Sequence, residues 1–360
     1  MPPRPGDFRV RPATGTLHRT RKGAEVMKHR KLGRTGIQVS EVGLGTWQLG
    51  SADWGQVSED DGLEILRRAA DSGVNFLDTA DVYGGGVSER IIGKFLKQTD
   101  HTLHVATKLG RKIWLDLGLQ WPERITLEMA RQATEQSLRN LGLESLFLQQ
   151  WHCLPTEEYR RGDVFEHLET LKREGLIQHW GCSVESVEEA QLCLAHPGCE
   201  TLQVIYNIFR QKLTEDLLPL ARQHEVGILA RVPLASGLLT GRFQPGHQFS
   251  PQDHRHYNAD GQVFNVGETF AGLPFAKGVE LAEKVKAILD PVSGEAMSQL
   301  ALRWILDHDA VSTVIPGATK PTHAENNATT SDLLPLGEAT HQQLLELYQQ
   351  EVAPEIRGPY

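Results

Sequence analysis

The sequence predicts an α/β fold, most simply a single-domain (β/α)8 TIM barrel, from three observations. Short apolar runs alternate with amphipathic segments of helical period from Lys28 onward, the pattern of parallel strands joined by crossover helices. The apolar runs number eight. Polar or ionisable residues recur where those runs end, at Asp78, Lys108, His152, Ser183, Asn207 and Arg231. In a barrel these ends meet on one face, where the connecting loops build a site. A doubly wound open sheet takes the same alternation, and the recurrent strand-end residues favour closure.

Each element has its own signal. The opening strand is expected over 42–44. Ser58 and Asp61 suit the start of a helix with Leu63, Leu66 and Ala69 on one face, and Gly73 suits a left-handed stop. Strand 74–78 follows, then helix 89–96, strand 104–108 and helix 126–141. That last helix has Leu127, Ala130, Thr134, Leu138 and Leu141 at helical spacing before Gly142. Strand 146–152, helix 164–174 and strand 179–183 continue the rhythm. A helix after Ser186 has Glu189 in a capping box. Strand 201–207, helix 215–224 and strand 227–231 lead to a Gly- and Pro-rich segment over 235–275, a length that is usually functional. Helices 279–289 and 297–306, strand 311–315 and helices 323–330 and 338–351 complete the chain.

Composition bounds the function. The 360 residues are 39% hydrophobic and 23% charged, with no apolar run near the ~18 residues that span a bilayer, which excludes a membrane protein. A formal charge of -9 argues against a nucleic-acid partner. Cys153, Cys182, Cys193 and Cys199 form no CxxC pair and read as reduced thiols of a cytoplasmic protein. Near the N-terminus, Arg4, Arg9, Arg11, Arg19, Arg21 and Lys22 oppose only Asp7 and Glu25, and Pro2, Pro3, Pro5 and Pro12 oppose a helix. Residues 1–27 therefore read as a disordered basic tail or an upstream start, and 28–360 as the barrel with its C-terminal helix.

Several chemistries have no motif here. There is no G-x-G-x-x-G, no G-x-x-x-x-G-K-[ST] and no G-x-S-x-G. Although there are 15 histidines, they lack H-E-x-x-H or cysteine partners, so no metal is expected. Gly84, Gly85 and Gly86 before a helix suit either an anion cradle or a tight turn.

The opening KLGRTGIQVSEVGLGTW and FLDTADVYGGGVSERIIGKFL are followed in order by VATKLG, LFLQQWHCLP, WGCSVES, LQVIYN, RVPLASGLLTG and VIPGATK. This series resembles the aldo-keto reductases, NAD(P)H-dependent enzymes with a (β/α)8 fold, over about Leu32 to Asn327. The likeness is greater to the branch that includes potassium-channel β-subunit-like proteins. It implies a cytoplasmic oxidoreductase that transfers hydride from NADPH to a carbonyl substrate, with a small aldehyde, ketone, aldose or quinone all open. A nucleotide-binding, redox-sensing regulatory subunit with little turnover is the alternative.

The resemblance carries a catalytic tetrad onto Asp78, Tyr83, Lys108 and His152. Carbonyl reduction needs a hydride donor and an acid for the developing alkoxide. Tyr83 is the candidate acid, and a nearby ammonium favours phenolate and lowers its pKa. Lys108 supplies that charge, Asp78 holds Lys108, and His152 donates to the substrate oxygen or shares the proton.

The cofactor positions are likewise carried over from the family. Ser183 and Gln203 match residues that meet the nicotinamide carboxamide, with Thr46, Trp47 and Asp78 beside them. Arg231 stands where many relatives stack an aromatic ring, and a planar guanidinium can also stack. Pro233, Leu234, Ser236 and Gly237 resemble the loop at the pyrophosphate, with Arg242 a candidate phosphate ligand. Gly317, Thr319, Lys320, His323, Asn326 and Asn327 match the segment at the 2′-phosphate and adenine. His323 replaces an arginine there, while Lys320, with Arg255 as a second cation, keeps NADP(H) favoured over NAD(H). Trp47, Trp54 and Trp121 are candidates to line an apolar substrate pocket.

Overall fold

A computed structural model describes residues 27–50, 53–55, 57–293 and 295–360. The tail read over residues 1–26 lies outside them. Met27, read as part of that tail, is instead buried in the core beside Gly73.

A two-stranded antiparallel hairpin, β1 (His29–Lys31) and β2 (Gln38–Ser40), precedes the main sheet. The sheet follows in chain order: β3 (Leu44–Gly45), β4 (Phe76–Asp78), β5 (His104–Leu109), β6 (Leu146–His152), β7 (Ile177–Ser183), β8 (Thr201–Ile205), β9 (Gly227–Arg231) and β10 (Val311–Val314). All its pairings are parallel. Parallel bridges from Val42 to Val314 and from Gly45 to Gly317 close the ring, with the Gly43 N–H donating to Val314 O at 2.8 Å. The fold is the single-domain (β/α)8 barrel, and the open sheet is excluded.

Local chemistry accounts for the helix ends. Ser58 Oγ accepts from the Asp61 N–H at 3.1 Å at the start of helix Glu59–Asp71, and Gly73 turns the chain with φ 87°. Thr126 caps Leu127–Leu141 through Met129 N–H, and Gly142 ends it with φ 68°. Ser186 caps Val187–Leu194 as expected, whereas Glu189 reaches back to the N–H of Glu185, one residue before the cap.

Several features depart from the sequence reading, among them the short helices Arg111–Asp116 and Thr156–Arg161, where no element was expected. The hairpin was not anticipated, because β1 and β2 have three residues each and β1 presents no buried face. It sits under the barrel's N-terminal end, where Arg30 donates to Leu306 O and Val311 O. The helix expected over 215–224 is two pieces, Leu213–Asp216 and Leu218–Gln223, broken at Leu217, where Pro219 enters the first turn of the second. The C-terminal helix is regular over Glu338–Leu347 and then widens to a π turn over Tyr348–Val352.

Candidate active site

Asp78 ends β4, Lys108 lies near the end of β5, and His152 ends β6, so the register brings all three to the C-terminal mouth of the barrel. Lys108 is fully buried. A buried ammonium is tolerated only when its donors are satisfied. Its Nζ has three acceptors: Asp78 Oδ1 at 2.6 Å, Thr79 O at 2.8 Å and Tyr83 OH at 3.3 Å. The other Asp78 oxygen accepts from Gln203 Nε2 at 2.7 Å.

Tyr83 reaches this point because the three residues after it are left-handed. Gly84, Gly85 and Gly86 have φ of 58°, 59° and 87°, and a Cβ at Gly84 would stand 1.6 Å from Gly50 O. The turn uses its own amides, with Gly85 N–H on Val82 O and Val87 N–H on Gly84 O, so the tight-turn reading of this triplet holds. Trp47 stacks on Tyr83 with centroids 5.8 Å apart, and the His152 ring stands edge-on to it at 6.0 Å.

Burial raises the Tyr83 phenol above its ordinary pKa, with Lys108 pulling it down and Asp78 pushing it up. The expectation that Lys108 leaves it lowered is corrected here: desolvation is the larger effect, and Asp78 offsets part of the ammonium's field. For Lys108 itself, burial lowers the pKa, but Asp78 and Tyr83 more than offset it, so the amine stays charged. Burial, then Arg111, Lys108 and Arg231, hold His152 well below its usual pKa. A neutral imidazole follows, with its buried Nδ1 unpartnered.

Beside His152 lies an ion cluster that joins three loops. Arg111 pairs with Glu268 at 2.6 Å and Glu185 at 2.8 Å, and Arg231 pairs with Glu268 at 3.1 Å. Burial alone would raise the Glu268 pKa, but Arg111 and Arg231 bring it down to about 2. Arg231 also donates to Val184 O at 3.2 Å and contacts Cys153 Sγ at 3.5 Å. Arg231, expected as a guanidinium able to stack on the nicotinamide ring, lines the groove with its terminal nitrogens held by this cluster.

A groove of about 310 Å³ runs from Asp78 and Tyr83 to Asn326 and Asn327. Its walls include the expected Thr46, Trp47, Gln203, Arg231, Pro233, Leu234, Ser236, Gly237, Arg242, Gly317, Thr319 and His323, together with Trp54 and Arg255. Ser183 and Lys320 are not in its lining. Ser183 is buried with its Oγ 3.6 Å from Cys153 Sγ, and Lys320 is exposed at the start of helix Pro321–Ala328. Trp121 stacks on Trp114 at 6.3 Å, outside the groove. Arg255, expected as a second cation, lines the groove and is paired with Asp253 through two bonds, with Trp54 and Phe249 flanking it. Ser236 Oγ donates to Glu268 O at 3.0 Å and accepts from Phe270 N–H at 3.1 Å, so it pins the long loop. Val232, Ala235, Ser236, Phe270 and Ala271 all have positive φ, a concentration of strain where that loop meets the groove.

Sequence reasoning missed Gln48, Arg111 and Glu268. Gln48 lines the groove with a buried, unpartnered Oε1, and a Cβ at Gly317 would strike its amide. Arg111 carried a signal close to that of Lys108, a cation two residues past the end of the same strand. Glu268 is the only charged residue between Asp260 and Lys277.

The aldo/keto reductase family model matches residues 41–349. The aldo-keto reductase YhdN of Bacillus subtilis is 30% identical over 308 residues, covering 83% of this chain and 87% of its own. A probable voltage-gated potassium channel subunit beta of Arabidopsis thaliana is 27% identical, covering 86% of this chain and 93% of its own. An aldo-keto reductase from Klebsiella pneumoniae in complex with NADPH superposes with a TM-score of 0.64 at 26% identity, covering 90% of this chain and 96% of its own. Among the described residues no helix is long and apolar enough to cross a membrane.

Proposed function

Because this chain belongs to the aldo/keto reductase family, NAD(P)H-dependent oxidoreductases, we propose that it reduces a small aldehyde or ketone with NADPH and that Tyr83 supplies the proton. The observation that carries this reading is the fully buried Lys108, bonded at once to Asp78 and Tyr83. A lysine enclosed that way is suited to stabilise the charge of a neighbouring group that exchanges a proton.

The groove fits a dinucleotide. The unpartnered Gln48 Oε1 offers an acceptor inside it, and Gln203 with Asp78 offers polar edges at the tetrad end. When bound there, NADPH supplies hydride to the carbonyl carbon. Everything else is the work of side chains. The carbonyl oxygen lies between Tyr83 and neutral His152, which donates a hydrogen bond as negative charge develops. Tyr83 then gives up its proton, and the Lys108 ammonium stabilises the phenolate left behind. Aldehyde, NADPH and a proton become alcohol and NADP+.

Tyr83→Phe tests this directly. Loss of carbonyl-dependent NADPH oxidation with an unchanged Kd for NADPH is expected, and near-normal turnover would overturn Tyr83 as the acid. NADPH binding by wild type without turnover of any carbonyl would favour a redox-sensing subunit.

A further inference from the structure

The carboxylate of Glu268 joins the long loop to the ends of two barrel strands. Its Oε1 accepts from Arg111, just past β5, at 2.6 Å and from Arg231, the last residue of β9, at 3.1 Å. Cys153 follows His152 in the chain, and its Sγ lies within 4.8 Å of a carboxylate oxygen of both Glu268 and Glu185. The ion cluster is therefore packed beside the end of β6.

Glu268 is fixed on both sides of its own backbone. Its N–H donates to Asn265 O at 3.0 Å, and its carbonyl accepts from Ser236 Oγ at 3.0 Å. A Cβ on the preceding Gly267 would stand 2.1 Å from Nη1 of the buried Arg210, so the turn Val266–Glu268 is pressed onto the fold. A carboxylate held at this many points is oriented before any substrate arrives, which is what preorganised electrostatics requires.

Glu268 also lines the groove together with Asp78 and Tyr83. The charged and titratable groups around Tyr83 are Lys108 from β5, Asp78 from β4, His152 from β6 and Glu268 from the long loop. Around Glu268 they are Arg111, Arg231 and His254, and Glu185 and Cys153 lie beside Arg111. Lys108 is matched by Asp78, and the two arginines are matched by Glu185 and Glu268, so these groups carry no net charge. Removing the Glu268 carboxylate leaves one positive charge in excess near a buried phenol, where little water screens it. That excess favours phenolate, and a phenolate has no proton to give.

Resting on the carbonyl-reductase reading, we propose that Glu268 is a positioning residue of the reduction: it holds Arg111 and Arg231 beside His152 and supplies the negative charge that keeps the proton on Tyr83. The proton passes from Tyr83 to the alkoxide as given above, and Glu268 neither gives nor takes it. The directions at the phenol agree. Burial raises the Tyr83 pKa, Lys108 lowers it, and Asp78 and then Glu268 raise it again.

The test is a pH titration of the full chain by near-ultraviolet phenolate absorbance, taken as the difference between each protein and its Tyr83→Phe counterpart. Beside it run pH profiles of kcat for NADPH oxidation with propanal, hexanal and glyceraldehyde. Glu268→Gln should move both the phenolate transition and the alkaline limb of kcat to lower pH. It should also lower kcat by roughly tenfold, as for the loss of a hydrogen bond to a charged group, with a smaller change in the KM for NADPH. Glu268→Asp keeps the charge and shortens the reach, so it should keep the wild-type limb. If Glu268→Gln does not fold, joining it to Arg111→Met removes the charge pair together and leaves Arg231 and Glu185 in balance. The transition should still move down, because the phenol feels Glu268 more than Arg111. A weaker KM for NADPH with transition and limb unmoved would make Glu268 a staple of the loop alone, overturning the proposal and leaving the reductase reading standing. No oxidation of NADPH by wild type with any of the three carbonyls would overturn the reductase reading, while a moved absorbance transition would still uphold the charge placed at Tyr83.

Discussion

Gln203 donates from Nε2 to Asp78 Oδ2 at 2.7 Å, on the carboxylate whose other oxygen holds Lys108. On the proposed reading, in which Gln203 meets the nicotinamide and Tyr83 supplies the proton, cofactor contact and proton chemistry share this one carboxylate. Gln203→Leu strands a buried carboxylate oxygen, a loss of about 1–3 kcal/mol. We expect kcat to fall roughly tenfold in addition to weaker NADPH binding. Measured separately, an unchanged kcat would mean that the bond has no part in the chemistry.

The pKa directions give the pH dependence. Tyr83 is raised and stays protonated at neutral pH, while His152 is depressed and stays neutral. The reduction rate should therefore be flat between about pH 6 and 8 and fall only on the alkaline side, as the acid is lost. Lys108→Met removes the one neighbouring charge that lowers the phenol's pKa, so the alkaline limb should move to higher pH and kcat should drop. A profile identical to wild type would assign the control of that pKa to another group.

Glycine at 84 is a steric requirement, and glycine at 85 is only a conformational preference. Both have positive φ, but a Cβ at Gly84 meets Gly50 O at 1.6 Å, whereas at Gly85 nothing lies within 4 Å. Gly85→Ala should cost about 1–2 kcal/mol, the left-handed penalty alone. Gly84→Ala should cost more than that and displace Tyr83, lowering both stability and kcat. Equal denaturation midpoints for the two variants would contradict this.

The barrel was legible because each inner strand is an apolar run with a turn signal after it; β6, buried along its whole length, is the clearest case. Asp78, Lys108 and His152 were visible as strand-end residues and Tyr83 through the motif it shares with Asp78, and the fold brings the four together. The hairpin was not, since strands this short carry no period. Nor was the cluster beside His152, because Arg111 and Glu268 meet across 157 residues and neither belongs to a local motif. The pairing of Arg231 with Glu268 was hidden for the same reason: sequence gives a cation, and only the fold gives its carboxylate.

The last prediction concerns cofactor choice, where the fold changes the order of the candidates. A 2′-phosphate adds roughly two negative charges, so preference for NADPH depends on cations that face it. Lys320 is exposed and outside the groove lining, whereas Arg242 is within that lining beside Thr319 and His323. Burial, then Arg242 and Lys320, depress the His323 pKa, which leaves the ring neutral at physiological pH. His323 also contacts Thr319 Oγ1 at 3.3 Å, at the position where the resemblance puts the phosphate. Arg242→Ala should therefore weaken NADPH binding by roughly tenfold or more, consistent with about 1.5–3 kcal/mol for a hydrogen bond to a charged group, and Lys320→Ala by less. Neither should change the Kd for NADH appreciably. His323→Arg adds a guanidinium that can fork across phosphate oxygens, and it should strengthen NADPH binding selectively despite repulsion from Arg242 in the free protein. Dissociation constants for both cofactors at low and high salt check the whole set, because the NADPH term alone should weaken with ionic strength. Equal losses for NADH and NADPH in Arg242→Ala would mean that this residue meets the pyrophosphate common to both.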